Sequence, residues 1–366
     1  MRIIFVLIAF YLTFYTVSLN AQAVRKNPRG LDVTIGAYYF DGWSGMTSNN
    51  ITQLLVEGFP ERQPKWGWVT SSPKAVSEQI DLAYDAGISF FSFCWYYPEE
   101  SKDDYEYAPL NRALKLFLRS SNSNKLRYNL MVANHRGFTI GPNDWEKLNR
   151  YWIKLFKSDQ YLLYKGKPLI TFYSVDNLIS RFGSTQNVSK ALSSFRALAI
   201  ASGLKGVTIA ACVSYDNSQM INALKSGFDV VSGYNYHQNA LSKTLNPTPI
   251  RELIVRQEQL WNKISGSLRV PYLPVSTLNW DPRPQVKSIS QINSVKRFEG
   301  YSQKSVYKSV SSLRRWLLAA PSTTLDDRIG ILYAWNEYGE GAWLTPSQDS
   351  DEDFLEAIRS VLIDKL

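Results

Sequence analysis

Ile329-Gly330-Ile331-Leu332-Tyr333-Ala334-Trp335 is an almost unbroken apolar run, and it stops abruptly on Asn336-Glu337-Tyr338-Gly339-Glu340. A strand with one wet face alternates polar and apolar residues; a run without alternation reads as a parallel strand covered on both sides. Working back from it, seven more runs have the same character: Val33–Phe40, Ile88–Trp95, Tyr128–Ala133, Pro168–Tyr173, Val207–Val213, Asp229–Gly233 and Tyr272–Thr277. Amphipathic stretches separate them. Ser72-Pro73 supplies an N-cap and an N1 proline, and Val76, Ile80 and Tyr84 follow at fourfold spacing. Trp145, Leu148, Trp152 and Leu155 make a second stripe, and Val306, Val310, Leu313 and Leu317 a third. Phe354, Ile358 and Val361 make the last, behind Ser350 and Asp353 in capping positions. Gly87, Gly203 and Gly227 each end a helical stretch just before the next apolar segment, as left-handed C-terminal glycines do.

Eight strand-plus-helix units in 366 residues predict an α/β fold, a single-domain (β/α)8 TIM barrel. The rival is an open doubly wound sheet, which for a nucleotide-binding protein would carry a glycine-rich phosphate loop after an early strand; none is present. The hydrophobic content of 45% is enough for a core that needs no disulfides.

The N-terminus reads differently. Met1-Arg2 is followed by an apolar run from Ile3 to Val17, then by Ala21-Gln22-Ala23, the small-x-small pattern of a signal peptidase site. Residues 1–23 are therefore expected to be a signal peptide and 24–366 the exported catalytic domain, periplasmic or extracellular. An uncleaved anchor is the alternative, but the run is short for a span of roughly 20 residues, and no stable membrane span is expected after the cut. Cys94 and Cys212 lie in two different strand runs and read as buried thiols, with a disulfide the alternative that export allows. The formal charge of +9 would suit an anionic polysaccharide among glycan partners. There is no basic run interleaved with aromatics, so nucleic acid is not an expected partner.

In this barrel the active site lies beyond the C-terminal ends of the strands. The first run carries Tyr39 near its end and leads to Trp43. The second ends on Trp95-Tyr96, and the third gives Asn134-His135. Asp176 follows the fourth, Tyr215-Asp216 the fifth, Tyr236-His237 the sixth and Trp280-Asp281 the seventh. The eighth gives Trp335, Asn336, Glu337 and Glu340. Aromatic faces stack on the C–H faces of sugars, while Asn, Asp and His bond their hydroxyls, so the set reads as a glycan-binding rim. No HExxH occurs and two histidines on separate strands are a thin ligand set, so neither a metal nor another cofactor is expected. No Gly-x-Ser-x-Gly elbow supports a serine triad. The remaining engine is the carboxylate pair Glu337 and Glu340. Two nearby carboxylates cannot both ionise freely; one stays protonated to serve the leaving oxygen while the other acts as base or nucleophile. Gly339 between them is expected to permit the tight turn that brings them together.

Ala334-Trp335-Asn336-Glu337-Tyr338-Gly339-Glu340-Gly341-Ala342-Trp343-Leu344 resembles the W-N-E-W-x-E-G signature of the WbsX-like and glycoside hydrolase family 99-like barrels. Phe93-Cys94-Trp95-Tyr96-Tyr97 is similar to that group's aromatic second strand, Ala133-Asn134-His135 to its A-N-E segment, Gly166-Lys167-Pro168-Leu169-Ile170 to its G-K-P strand and Trp280-Asp281-Pro282-Arg283 to its W-D-N-T-P-R segment. The resemblance implies a (β/α)8 fold and hydrolysis of a glycosidic bond in a poly- or oligosaccharide. Glu337 would be the base, acting on the sugar's own 2-hydroxyl to give a 1,2-anhydro sugar and net retention, and Glu340 the general acid. Two positions depart from the group's pattern: Gly339 stands where family 99 has His, and His135 where it has an acid. A glycosyltransferase and a non-catalytic glycan-binding barrel are the alternative readings.

Overall fold

The computed structural model describes residues 30–364 except 48, 101–102, 215, 268, 320–324 and 326. The expected signal segment and Tyr215 thus lie outside the described residues. Each of the eight apolar runs forms a strand: β1 (Thr34–Tyr39), β2 (Phe90–Trp95), β3 (Arg127–Val132), β4 (Lys167–Phe172), β5 (Thr208–Cys212), β6 (Val230–Ser232), β7 (Val275–Thr277) and β8 (Ile329–Tyr333). They pair in parallel in the order β6-β5-β4-β3-β2-β1-β8-β7. Between β6 and β7 the ring is joined by one bridge, in which Leu273 N–H donates to Val231 O at 2.8 Å and Val231 N–H to Pro271 O at 3.0 Å. The seventh run is longer in the sequence than β7 is in the fold. Pro271 and Pro274 have no N–H to give to a ladder, so the run is divided: Tyr272 bridges to β6, and pairing with β8 starts only at Val275.

Each strand is followed by an outer helix: α1 (Pro73–Asp85), α2 (Arg112–Arg119), α3 (Pro142–Phe156), α4 (Thr185–Ala201), α5 (Asn217–Lys225), α6 (Ile250–Ser267), α7 (Gln303–Ala319) and α8 (Phe354–Leu362). The helix ends follow the sequence signals except at Ser350, which does not cap α8 but accepts from Glu352 N–H at 3.2 Å ahead of it. Ser72 accepts from Ala75 N–H at the head of α1, Asp353 accepts from Glu356 N–H at the head of α8, and Gly87, Gly203 and Gly227 are all left-handed. Aromatic rings bind helices to barrel. Trp152 of α3 meets Phe172 of β4 at 5.6 Å and Phe195 of α4 at 5.7 Å, edge-on and tilted, in the arrangement ring quadrupoles favour. Cys94 and Cys212 are buried and free. Among the described residues no helix is long and apolar enough to cross a membrane.

Where a strand ends, its ladder stops and the next N–H and C=O need other partners. Three asparagines meet this need at the mouth. Asn336 accepts from Phe40 N–H at 2.9 Å and donates to Phe40 O at 2.8 Å, one step past β1. Asn134 does the same with Ser174 beyond β4, at 2.9 and 2.7 Å. Asn111, from the loop before α2, does so with Tyr96 beyond β2, at 2.9 and 2.8 Å. A carboxamide carries one donor and one acceptor side by side, so each Asn replaces a missing rung of sheet. Asn336→Ala is expected to leave both Phe40 groups without that partner, at about 1–3 kcal/mol for each group that stays dry. Asn336→Asp should recover only the accepted bond. Denaturant unfolding of the two variants against the parent checks this, and equal stability of all three would show that the clamp contributes nothing.

Candidate active site

Beyond β8, Trp335 N–H still bonds Tyr38 O at 2.8 Å. Asn336–Glu337 then pairs antiparallel with Ala342–Trp343, and the chain reverses through a 3-10 turn over Tyr338–Glu340. The left-handed residue of this turn is Gly341, at φ +71, and not Gly339 as the sequence suggests. Any Cβ at 341 would also stand 3.0 Å from Asp281 Cβ. Gly339 has a different role. A Cβ there would approach Gln285 Nε2 to 3.1 Å, and Gln285 is the side chain that hydrogen-bonds Glu340.

The turn is fastened to the loop after β7. Asp281 N–H donates to Glu340 O at 2.7 Å and Asn279 Nδ2 to Gly341 O at 2.6 Å. Arg62, buried, donates through Nη1 to Tyr338 O at 3.1 Å and to Asp281 O at 3.0 Å, and through Nη2 to Asp281 Oδ2 at 2.5 Å. Arg283 forks onto the same carboxylate at 2.8 and 2.7 Å. Burial pushes the Asp281 carboxyl up, but the bonds from Arg283 and the two guanidinium charges outweigh it and hold the group below its ordinary value. Asp281 is thus an ionised anchor.

A cavity of about 770 Å³ opens over Glu337 and Glu340, walled by Phe40, Tyr96, His135, Tyr173, Tyr234 and Gln285 among others. A second, of about 300 Å³, adjoins it and shares Tyr173, Tyr234 and Glu340; its far side holds Asp176, His237 and Trp280. Glu340 therefore stands at the division between two lobes. The Glu337 carboxylate accepts from Tyr234 OH at 2.6 Å. Burial raises its pKa to about 7 against the opposing effect of that bond. Burial likewise raises Glu340 to about 8 against its bond from Gln285, and its Oε2 has no partner among the described residues. Burial also lowers both histidines, His237 to about 4, so the two rings are neutral at pH 7. Among the described residues no group of three or more His, Cys, Asp or Glu is placed to hold a metal ion.

The family described as glycosyltransferase WbsX matches residues 68–358. The chain belongs to this family. Among solved structures, a glycoside hydrolase-like protein superposes with a TM-score of 0.65 over 93% of this chain and 95% of the other, at 13% identity. The GH99 endo-alpha-mannosidase from Bacteroides thetaiotaomicron superposes with a TM-score of 0.60 over 90% of this chain and 96% of the other, also at 13% identity. At that identity the likeness establishes the shared barrel. No curated protein matches the chain.

The other residues expected on the rim of this WbsX-family barrel divide into two groups. Tyr96 and His135 line the larger lobe with Glu337 and Glu340, while Asp176, His237 and Trp280 line the smaller one. The His237 ring lies flat on Trp280 at 3.6 Å between centroids. The rest face inward or cap helices. Trp43 Nε1 donates to Asn336 O at 2.7 Å, and Trp335 Nε1 to Gln79 Oε1 at 2.9 Å. Trp95 is buried against Tyr97, Tyr105 and Trp152, and Tyr39 against Phe91 and Phe93. Tyr236 bonds Tyr272, Asp281 holds its two arginines, and Asn134 and Asn336 are clamps. Asp216 caps α5, accepting from Ser218 N–H at 2.7 Å.

Four residues at this site lie outside the rim set read from the sequence: Tyr234, Gln285, Tyr173 and Arg62. Tyr173 and Tyr234 each sit one or two residues past a strand and carry the same signal as the residues in that set. Arg62 and Gln285 belong to long loops and carry none. Arg62→Ala is expected to cost about 3 kcal/mol or more, the loss typical of breaking a buried ion pair from one side. Arg62→Lys should restore only part, because an ammonium cannot serve three acceptors in the geometry of a guanidinium fork. Unfolding curves of the two variants test this; a fully stable Arg62→Ala protein would mean that Arg283 alone holds the loops.

Proposed function

We propose that the chain is an exported glycoside hydrolase that cleaves a glycosidic bond in a poly- or oligosaccharide, with Glu340 as general acid and Glu337 as base. The observation that carries this reading is a pair of carboxyls on one turn, Glu337 buried and Glu340 partly buried, both raised into the neutral range but differently partnered. Tyr234 donates to Glu337, which favours its ionised form. Glu340 has the higher value and a buried Oε2 with no partner among the described residues, and the residue lines both lobes, where a leaving glycosidic oxygen would lie. In the step proposed, Glu340 gives its proton to the departing oxygen as the anomeric C–O bond breaks. Glu337 takes a proton from the attacking oxygen, which the resemblance to the family 99 barrels implies is the sugar's own 2-hydroxyl; water then opens the resulting 1,2-anhydro sugar at the anomeric carbon, giving its proton to Glu340 while Glu337 returns one to O2, with net retention. Removal of such proton transfer costs on the order of 10²–10⁴ in rate. The amphiphilic walls support a sugar: the Tyr96, Tyr173 and Tyr234 rings offer faces, and Gln285 and its neighbours offer hydroxyl-bonding groups. The family description favours glycosyl transfer as a second reading; the same pair would then serve a sugar hydroxyl as acceptor in place of water.

Glu340→Gln should be slowed by about 10²–10⁴ on unactivated glycans and far less on substrates with good leaving groups, which depart without a proton. Glu337→Gln should slow both classes. Digestion of a glycan library, with and without added sugar acceptors, supplies the substrates and separates hydrolysis from transfer. Normal turnover by Glu340→Gln on a natural glycan would remove it as the acid.

The pH profile is a separate test. Activity needs Glu337 ionised and Glu340 protonated, so kcat/KM should fall below about 7 as Glu337 gains a proton and above about 8 as Glu340 loses one. Tyr234→Phe removes the bond that favours ionised Glu337, so the acidic limb should move to higher pH and the bell should narrow. Gln285→Leu removes the bond that favours ionised Glu340, so the alkaline limb should move up and the bell should widen. Limbs that stay in place in both variants would sever these side chains from the two carboxyls.

A further inference from the structure

The protein as a whole is cationic, with a formal charge of +9, yet its two-lobed cavity is not. Among the described residues lining the larger lobe the charged groups are Glu99, Glu100, Glu337 and Glu340, and in the smaller lobe Asp176 and Glu340; no Lys or Arg lines either. The two histidines of the walls are held neutral by burial. Nearby guanidiniums have other engagements. Arg62 and Arg283 are turned onto Asp281 beneath the turn. Arg112 donates to the Ser71 carbonyl and to the Met46 sulfur, and Arg136 is exposed without lining either lobe. What the walls offer instead is uncharged and reciprocal: the amides of Asn50, Gln285 and Asn235 and the hydroxyls of Tyr96, Tyr173 and Tyr234. A carboxylate, sulfate or phosphate entering this cavity would be stripped of water without a cation to meet it. It would also stand near Glu337, which must itself be ionised for the proposed chemistry, in surroundings where like charges repel strongly.

We infer that the units flanking the bond cleaved here bear no negative charge, so that the substrate is a neutral or amine-bearing glycan and not the anionic polysaccharide that the overall charge suggests. This rests on the glycan-cleaving reading above. It also bears on sugar nucleotides, whose diphosphate would find no cation among the described lining residues. Glu99 and Glu100 stand exposed at the rim, and Glu99 is fixed there by the Thr139 N–H and hydroxyl. They bring two carboxylates to the entrance of the larger lobe.

The test uses matched pairs in which charge alone differs: galacturonan and its methyl ester, phosphomannan and mannan, carboxymethylated and plain glucan, with chitosan and UDP-glucose as further probes. Cleavage is measured with the parent protein and binding with Glu340→Gln. Within every pair that is bound or cut, the uncharged member should be favoured by at least about tenfold at low salt, and by less as salt screens the rim. Glu99→Gln together with Glu100→Gln should narrow that ratio, since Gln keeps an acceptor for Thr139 and removes the charge. Equal or better handling of the acidic members, or binding of no uncharged or amine-bearing glycan, overturns the inference. Discrimination in binding with no cleavage of any member upholds it and overturns hydrolysis instead.

Discussion

The mouth of this barrel depends on one constraint: where a sheet ladder ends inside the protein, the next backbone N–H and C=O still need partners. Water meets that need at most strand ends. Here the ends of β1, β2 and β4 are covered by long loops, and an asparagine amide takes the place of the missing strand. The consequence for chemistry is direct. Asn336, pinned to Phe40 on one side and accepting the Trp43 indole through its carbonyl, fixes the backbone from which Glu337 projects. The Trp-Asn pair before Glu337 thus acts as framework, and the residue after it begins the site.

Fixing the backbone allows the carboxyls to be buried, and burial sets their chemistry. A mobile loop would let Glu337 and Glu340 find water and keep ordinary acidity. Held in place, both are pushed into the neutral range. The charge needed to stabilise the surrounding turn is kept one layer away, where Arg62 and Arg283 are spent on Asp281 and on the Tyr338 carbonyl. Anchoring charge is thereby separated from reacting charge. The cations that secure the loops do not ionise the two carboxyls, which would happen if a guanidinium faced either of them.

The space beside Gly339 links composition to geometry in the same way. The residue has no side chain, and Gln285 from the loop after β7 comes to where one would begin and bonds Glu340. The group beside Glu340 is supplied here from another loop. Motif and loop therefore have to be read together to describe the surroundings of Glu340.

The barrel was legible in the sequence because a parallel strand buried on both faces leaves an unbroken apolar run, and helix caps leave Ser, Asp, Pro and Gly at fixed offsets. All eight strands lie within a few residues of those runs, and only the prolines at 271 and 274 moved an edge appreciably. The strand ends also pointed to the face that carries the cavity, and with it to Glu337, Glu340, Tyr96 and His135, which line it. Sequence alone could not decide which way a side chain at a strand end turns. Trp43, Trp95, Tyr236 and Asp281 sit in the expected places but point into the protein, since a large ring or an anion at the mouth is as well satisfied by an inward partner as by a ligand. Nor could it bring Arg62 and Gln285 to the motif, because those contacts join loops far apart in the chain. Local pattern determined the framework and the face that carries the cavity, whereas orientation, burial and the charge of the cavity follow from contacts that exist only once the barrel has closed.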